Sequence, residues 1–237
     1  MKTDGLKNLK VAIIDDEENI RETVSYALKR EGYIPLPYTD GYAAWEVFQK
    51  KLPDLAILDI LMPRMDGLEL CRKIRTISEN LPLIFLTSKD DEFDRILGLE
   101  IGGDDYLCKP FSMRELITRI KVLFRRISLH NKEIKKEDII TIGSLKLNIQ
   151  GYTVTWKEKN IPLTVTEFML LSSLIKYPGH VKNRDQLIEE AYPYNTYVSD
   201  RTIDSHIKRL RQKFLQIDPE FVSIETVYGL GYRYKVK

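Results

Sequence analysis

The sequence predicts an α/β domain with a doubly wound parallel sheet, followed by a smaller α+β domain. Three observations lead to this fold class. Short apolar runs alternate with amphipathic helical segments in the first half, a pattern typical of a parallel sheet covered by helices on both faces. Strand-like segments, helices and a final hairpin pattern fill the second half. A polar, charged stretch over residues 127–138 separates the halves and is expected to be a linker.

The first half contains five predicted strands and five predicted helices. The strong strands are residues 11–14, 55–58 and 83–86, and the weaker ones are residues 33–37 and 106–107. The helical segments are residues 19–30, 42–50, 68–75, 93–99 and 114–124. We therefore expect a (βα)5 domain over residues 1–126. Ligands of such sheets bind beyond the carboxyl ends of the strands, where the connecting loops meet.

The net charge of +2 conceals an acidic half and a basic half. Residues 1–124 contain 18 Lys and Arg against 22 Asp and Glu, whereas residues 125–237 contain 19 against 13. This asymmetry indicates metal or phosphate chemistry in the first half and a polyanionic partner for the second, although chance surface variation also produces such differences.

Apolar segments and cysteines exclude other classes of protein. No run of 18 apolar residues and no signal-peptide core occurs, so we expect a soluble, cytoplasmic protein without a membrane partner. Cys71 and Cys108 lack metal-ligand spacing and are expected to pack as thiols.

Polar side chains follow the strands at the edge where the loops meet. Asp15 and Asp16 follow the first strand, Asp59 the third and Thr87 the fourth, and Lys109 lies just past the fifth. Three carboxylates at one edge repel one another unless a cation neutralises them, and hard oxygen ligands favour Mg²⁺. Together these groups suit phosphoryl transfer to a carboxylate, with Asp59 as nucleophile. Taken alone, Asp15 or Asp16 is equally typical of a helix N-cap.

The motifs at these strand ends resemble the receiver domain of two-component response regulators. The resemblance covers about residues 8–126 and rests on IDDE (14–17), LDILMPRMDG (58–67), LTS (86–88) and GDDYLCKPF (103–111). It implies that Asp59 accepts a phosphoryl group from a sensor histidine kinase. It also implies that Mg²⁺ binds Asp15, Asp16, Asp59 and the backbone oxygen of Leu61.

The same resemblance assigns further roles in the first half. Thr87 and Tyr106 match the switch pair, in which the hydroxyl turns toward the phosphoryl group and the ring moves inward, although Tyr106 is also typical of an ordinary strand aromatic. The bond before Pro110 matches a position where the family has a cis peptide, which costs little at proline.

Charged residues late in the first half match a dimer interface of the OmpR/PhoB branch. Active receivers of that branch dimerise through the fourth helix, the fifth strand and the fifth helix. The resemblance pairs Arg95 with Glu115, and Asp104 or Asp105 with Arg119 or Arg126, across a two-fold axis. The same charges are also typical of a solvated helix face.

The second half combines strands, three helices and a hairpin. Strands are expected at residues 139–142, 145–149, 152–156 and 161–163, helices from residues 166, 184 and 199 or 200, and a hairpin around residues 229–231. The third helix places Ile203, Ile207, Leu210 and Phe214 on one face and a basic surface on the other. Such a surface suits major-groove insertion but is also typical of a solvated charged helix.

The second half is similar to the winged-helix effector domain of the OmpR/PhoB branch. The similarity covers about residues 137–237 and rests on LTVTEF (163–168), RTIDSHIKRLR (201–211) and TVYGLGYRY (226–234). It implies double-stranded DNA as a partner and an RNA polymerase contact at residues 194–198. The implied DNA-contacting residues are Arg201, His206, Lys208, Arg209, Arg211, Tyr228 and Arg233. Tyr228 departs from many relatives, which have a minor-groove Arg there, so this wing is expected to contact sugar and phosphate.

We interpret the chain as a phosphorylation-activated transcription regulator that forms a homodimer, and not as an enzyme. Its expected parts are a receiver (residues 1–126), a linker (127–138) and a winged-helix domain (139–237). One alternative is a constitutive DNA-binding regulator whose receiver only dimerises. Another is a hydrolase with an aspartyl-phosphate intermediate, which would leave the basic second half unexplained.

Overall fold

The computed structural model describes residues 8–87, 101–128, 139–149, 151–192 and 200–236, without the side chains of residues 87 and 125–128. The chain divides into two compact units, Met1–Ser128 and Leu129–Lys237. Within the described ranges, no helix combines the length and hydropathy needed to cross a membrane.

The first unit is built on a five-stranded parallel sheet with the order β2-β1-β3-β4-β5. Its elements are β1 (Lys10–Ile14), α1 (Glu18–Arg30), β2 (Ile34–Tyr38), α2 (Gly41–Phe48), β3 (Leu55–Asp59), α3 (Gly67–Ile77), β4 (Leu83–Thr87), β5 (Asp105–Cys108) and α4 (Met113–Ser128). Every residue of β3 is buried, as a central strand between two helical layers requires. The predicted doubly wound fold is therefore confirmed, while the predicted helix at residues 93–99 lies outside the described residues.

This strand order places the predicted site at one edge of the sheet. β1 pairs in parallel with β2 on one side and with β3 on the other, so the chain reverses its winding direction between β1 and β3. At the carboxyl ends of these two strands, the connecting loops run in opposite directions and leave a crevice that can hold a ligand. The Lys109–Pro110 peptide bond, after β5, is cis as expected.

The second unit has the predicted mixture of helices and antiparallel strands. A four-stranded sheet has the order β6-β7-β8-β9, and a separate two-stranded hairpin ends the chain. The elements are β6 (Ile139–Ile142), β7 (Leu145–Asn148), β8 (Thr153–Trp156), β9 (Lys159–Ile161), α5 (Val165–Lys176), α6 (Arg184–Ala191), α7 (Asp200–Ile217), β10 (Ile224–Val227) and β11 (Gly231–Tyr234).

Helix α7 and the hairpin are packed firmly into this unit. The predicted apolar face of α7 is buried, with Ile203, Ile207, Leu210 and Phe214 all at 0% exposure. The hairpin joins the segment before α6 through two backbone hydrogen bonds between Lys182 and Tyr232, of 2.8 and 2.9 Å.

Candidate functional sites

Asp59 lies at the carboxyl end of β3 with its side chain only 7% exposed. Its Oδ2 accepts a hydrogen bond of 2.7 Å from Lys109 Nζ, and its Oδ1 accepts one of 3.2 Å from the Leu61 N–H. Lys109 follows β5, two strands away from β3 in the sheet. The sheet edge thus brings together the two residues that the sequence singled out for phosphoryl chemistry.

Lys109 contacts three carboxylates at this edge. Besides Asp59, its Nζ lies 2.9 Å from Asp15 Oδ2 and 2.9 Å from Glu17 Oε1. One oxygen from each of the three carboxylates lies within 4.8 Å of the others. One ammonium thus faces three carboxylates, and the excess negative charge favours a further cation.

Asp15 provides an independent test of whether the residues fit a cation. The side chain is fully buried, and its Oδ1 accepts a hydrogen bond of 2.9 Å from the Glu17 N–H. Oδ2 is buried and lies 2.9 Å from Lys109 Nζ, an ammonium that Asp15 shares with Asp59 and Glu17. Burying a carboxylate is costly unless its charge is neutralised, and one ammonium shared by three carboxylates neutralises only part of their charge. The residues therefore fit a metal ion with hard oxygen ligands.

The pKa values at this site follow from burial and charge. Burial raises the pKa of the Asp59 carboxyl and nearby Asp15 raises it further, while Lys109 opposes the shift. Burial disfavours the Lys109 ammonium, but its hydrogen bonds to Asp59, Asp15 and Glu17 outweigh this effect and raise its pKa. Lys109 is consequently a cation at neutral pH, and a second cation would favour the ionised form of Asp59.

Other predicted site residues take different positions. Asp16 is exposed and its carboxylate is not one of the three clustered groups. Tyr106 is buried at 4% exposure in the hydrophobic core, and the side chain of Thr87 is outside the described structure. Sequence reasoning missed Glu17, which directly follows the Asp pair, because a run of four acidic residues does not indicate which ones reach Lys109.

The predicted dimer charges have partners within the first unit. Arg119 lies 3.0 Å from Asp105 Oδ2 and 2.7 Å from Glu115 Oε1. Asp104 is fully buried and lies 3.1 Å from Arg75 Nη2. Arg95 and the side chain of Arg126 lie outside the described structure. The pairing of these charges across a two-fold axis stays a prediction. It would require them to exchange their present partners within the unit for residues of a second copy.

The basic residues of α7 fall into an exposed group and a bound group. Arg201 and Lys208 are exposed. In contrast, Arg211 donates from Nε to the Ile224 carbonyl (3.0 Å) and from Nη2 to Thr226 Oγ1 (2.8 Å), which attaches α7 to β10. On the hairpin, Arg233 Nε donates to Glu225 Oε2 at 2.7 Å. Roles for Arg211 and Arg233 in DNA contact stay predictions.

His206 is a correction to the predicted DNA surface. The side chain is fully buried, with Nε2 2.6 Å from the Tyr192 hydroxyl and Nδ1 2.7 Å from Arg209 Nη2. Because a guanidinium only donates, Nδ1 must be the acceptor, so the neutral ring carries its proton on Nε2 and donates to Tyr192. Burial, with the charges of Arg209 and Lys213, lowers the His206 pKa well below its usual value. His206 therefore supports α7 from inside and does not face DNA.

Glu167 fixes α7 to the start of α5. The side chain is fully buried, lies 2.8 Å from Lys213 Nζ and 3.5 Å from Arg209 Nε, and also completes a capping box with Thr164. Sequence reasoning missed this role, because nothing in the local pattern indicates that a helix-start carboxylate meets cations 42 and 46 residues later.

The hairpin ends in an uncharged, exposed tip. Tyr228 and Leu230 are 93% and 61% exposed. Gly229 has a φ of +74°, and the Leu230 N–H donates to the Val227 carbonyl at 2.9 Å, which defines a tight turn. The predicted polymerase contact at residues 194–198 lies outside the described residues.

Two family models match the chain. One, described as "Response regulator receiver domain", matches residues 11–121. The other, described as "Transcriptional regulatory protein, C terminal", matches residues 158–234. Both describe regulatory proteins, and the two matched segments fall within the two structural units.

Relatives match this chain over nearly its whole length. The alkaline phosphatase synthesis transcriptional regulatory protein PhoP of Bacillus subtilis is 38% identical over 231 residues, covering 95% of this chain and 96% of the relative. The transcriptional regulatory protein CreB of Escherichia coli is 39% identical, covering 94% of this chain and 96% of the relative. Among solved structures, the response regulator DrrB, a Thermotoga maritima OmpR/PhoB homologue, is 31% identical with a TM-score of 0.50, covering 96% of this chain and 99% of that chain.

Proposed function

The chain belongs to the OmpR/PhoB family of two-component response regulators, and from this membership we propose that phosphorylation of Asp59 controls DNA binding by its second unit. The chain is a DNA-binding transcriptional regulator that phosphorylation activates. The observation that supports Asp59 as the acceptor is its place at the sheet edge, buried, 2.7 Å from Lys109 and beside the buried carboxylate of Asp15.

The proposed reaction transfers a phosphoryl group from a phosphohistidine of a sensor kinase. An oxygen of the Asp59 carboxylate forms the new bond to phosphorus as the phosphorus–nitrogen bond breaks. The electron pair of that bond returns to the imidazole nitrogen; the ring leaves as neutral imidazole when its other nitrogen is already protonated, and otherwise it takes up a proton from solvent. Lys109 neutralises negative charge on the phosphoryl oxygens, because its ammonium already lies within hydrogen-bond distance of Asp59.

Mg²⁺ is the cation that we assign to the acidic cluster. Asp15 and Asp59 would hold it, together with the backbone oxygen of Leu61 and, by the family pattern, Asp16. A bound Mg²⁺ supplies charge neutralisation for the oxygens of the transferred group. Glu17 is a further carboxylate at the same edge and holds Lys109 from its solvent side.

DNA binding is assigned to α7 and the hairpin. Arg201 and Lys208 are exposed and suit contacts to phosphates or bases. Arg209 and Arg211 bind partners inside the unit and so hold α7 in place. Both side chains are only partly buried, so we infer that their guanidinium groups can still contact DNA. The wing tip at Tyr228 carries no charge, so we infer that it contacts the sugar walls of the minor groove by packing.

Three further partners and properties complete the proposal. The phosphorylated first unit forms a homodimer, which raises the local concentration of two DNA-binding units at paired half-sites. Residues 194–198 contact RNA polymerase. The protein acts in the cytoplasm, where both its DNA and the kinase domain of its partner are accessible.

Intact-mass spectrometry tests the acceptor assignment. The full chain is incubated with Mg²⁺ and acetyl phosphate, and wild type is expected to gain one phosphoryl group while Asp59→Asn gains none. Asp66→Asn is the matched control, because Asp66 lies in the same loop but only caps α3 through a hydrogen bond from the Glu69 N–H. Phosphorylation of Asp59→Asn at the wild-type rate would contradict the assignment.

The constitutive alternative makes a different prediction. A regulator whose first unit only dimerises would bind DNA equally well before and after phosphodonor treatment. It would also have the same solution mass in both states, whereas the proposal expects a change from monomer to dimer in wild type and none in Asp59→Asn.

A further inference from the structure

The loop between β3 and α3 carries the acceptor site and has an unusual backbone. It runs from Asp59 to Gly67 and includes Leu61, whose backbone oxygen we assign to the metal. Arg64, in the middle of this loop, has a φ of +67°, the left-handed region that residues with a Cβ occupy at a cost. Such a conformation persists only where surrounding contacts hold it.

The Arg64 side chain supplies one such contact. Its Nη2 donates to Asp40 Oδ2, and its guanidinium lies 5.6 Å from the centre of the Tyr42 ring. Asp40 precedes α2, and its Oδ1 accepts a hydrogen bond of 2.9 Å from the Ala43 N–H as the N-cap of that helix. The side chain of Asp40 is 3% exposed whereas that of Arg64 is 58% exposed. An arginine at the loop surface therefore reaches a buried carboxylate on a different element.

Two glycines pack the same loop from both sides. A Cβ at Gly41, the first residue of α2, would lie 2.6 Å from the Met65 carbonyl oxygen. A Cβ at Gly67, the first residue of α3, would lie 2.0 Å from the Asp59 carbonyl oxygen. The two helix starts thus enclose the loop at backbone distance, and the pair between Arg64 and Asp40 connects it to α2.

We propose that Arg64 is a positioning residue whose ion pair with Asp40, here called the Arg64–Asp40 clasp, holds the acceptor loop in its strained conformation and so presents Leu61 to the metal. This role rests on the proposed function of the Asp59 site. Without the clasp, the backbone at Arg64 relaxes toward ordinary conformations and the Leu61 oxygen is no longer fixed beside Asp59. Groups that orient metal ligands in this way typically change metal affinity 10- to 100-fold.

Three variants of the full chain separate the clasp from the backbone strain. Arg64→Ala removes the ion pair and keeps the cost of the left-handed conformation. Arg64→Lys keeps a positive charge and should recover part of the effect. Asp40→Asn removes the charge of the partner while keeping an N-cap for α2. A double variant of Arg64→Ala with Asp40→Asn should behave like either single variant, because both remove the same interaction.

Two readouts test the clasp. The first is amide hydrogen exchange without metal, in which loss of the clasp should speed exchange about 10-fold in the loop peptide, where the Met65 and Gly67 N–H groups donate to Pro63 and Ile60. Peptides from β1 and β3 should exchange as in wild type, which excludes general destabilisation. The second is the affinity for Mn²⁺, measured by electron paramagnetic resonance of the free ion, because Mn²⁺ shares the oxygen preference of Mg²⁺. Arg64→Ala should raise the dissociation constant about 10-fold.

The outcomes distinguish the clasp from the proposed site. Unchanged loop exchange and unchanged Mn²⁺ affinity in Arg64→Ala would overturn the positioning role while leaving the acceptor assignment intact. Faster exchange with unchanged affinity would also overturn it, because the loop would then move without affecting the metal. If wild type and Asp15→Asn bound Mn²⁺ equally, the proposed metal site would be wrong and the positioning role would be rejected with it.

Discussion

Replacing Glu167 with Gln tests how the second unit holds α7, the helix to which we assign DNA binding. Glu167 is fully buried and faces Lys213 Nζ at 2.8 Å and Arg209 Nε at 3.5 Å, while the side chains of these two cations keep only 16% and 20% exposure. Loss of one partner from a buried ion pair costs about 3–5 kcal/mol, because the remaining charge is left uncompensated. Since both cations retain some solvent contact and Gln can still complete the capping box, we expect a loss of about 2–3 kcal/mol.

Urea unfolding followed by Trp156 fluorescence measures this loss. Trp156 donates from Nε1 to Asp218 at 2.8 Å and its ring packs on Phe214 of α7, so its emission reports the second unit. The measurement uses a Trp45→Phe background, because Trp45 lies in the first unit. Glu189→Gln is the matched control, an exposed Glu on α6 whose replacement should change stability by less than about 0.5 kcal/mol.

A loss below about 0.5 kcal/mol in Glu167→Gln would refute this reasoning. It would mean that water already compensates both cations and that the contact to Glu167 contributes no more than a surface pair. A loss of the expected size, together with a weaker DNA affinity in native buffer, would connect the buried carboxylate to the orientation of α7.

Three other predictions concern pH, salt and backbone packing. The second unit should lose stability as the pH falls below about 6.5, because the folded-state pKa of His206 is lowered and only the unfolded chain binds the proton. Urea unfolding at several pH values measures this loss, and the free energy of unfolding should depend less on pH in His206→Gln. On a duplex chosen by in vitro selection with the wild-type chain, Lys208→Ala should reduce the slope of log affinity against log salt by about 0.9. Tyr228→Ala should weaken binding without changing this slope, and an altered slope would contradict the uncharged wing contact. Gly67→Ala should destabilise the first unit by about 1–3 kcal/mol in thermal unfolding, because its Cβ would lie 2.0 Å from the Asp59 carbonyl oxygen, and an unchanged melting temperature would contradict this.

The fold of the first unit was predictable because its three inner strands, β1, β3 and β4, contain unbroken apolar runs. The predicted runs at residues 11–14, 55–58 and 83–86 lie within β1, β3 and β4. The ends of the weaker strands were harder to predict. β2 is an edge strand with exposed positions and two prolines, so its apolar pattern matches only part of the strand. β9 begins at Lys159, before the predicted residue 161, because its first two residues are exposed and carry no apolar signal.

The acceptor site was partly predictable for a different reason. Strand ends place Asp59 and Lys109 at one edge, and the chain direction alone determines that placement. The participation of Glu17 depends on how the loop after β1 turns, which a run of four acidic residues does not specify. The Arg64–Asp40 clasp joins residues 24 positions apart, and neither position has a pattern that indicates a partner.

The DNA surface shows the limit of a helical wheel. Periodicity identified the buried face of α7, but His206 lies at the border of that face. Its burial depends on Tyr192, which follows α6, and on Arg209 one turn further along. A border position of this kind is decided by the neighbouring elements and not by the sequence of the helix itself.

The most direct test of the central claim is the affinity of the full chain for a selected DNA duplex, with and without acetyl phosphate and Mg²⁺. Fluorescence anisotropy at fixed salt would compare wild type with Asp59→Asn. The account predicts that the phosphodonor strengthens binding by wild type at least 10-fold and leaves Asp59→Asn unchanged. Equal affinity of wild type in both conditions, with phosphate present on Asp59, would contradict the claim that phosphorylation controls DNA binding.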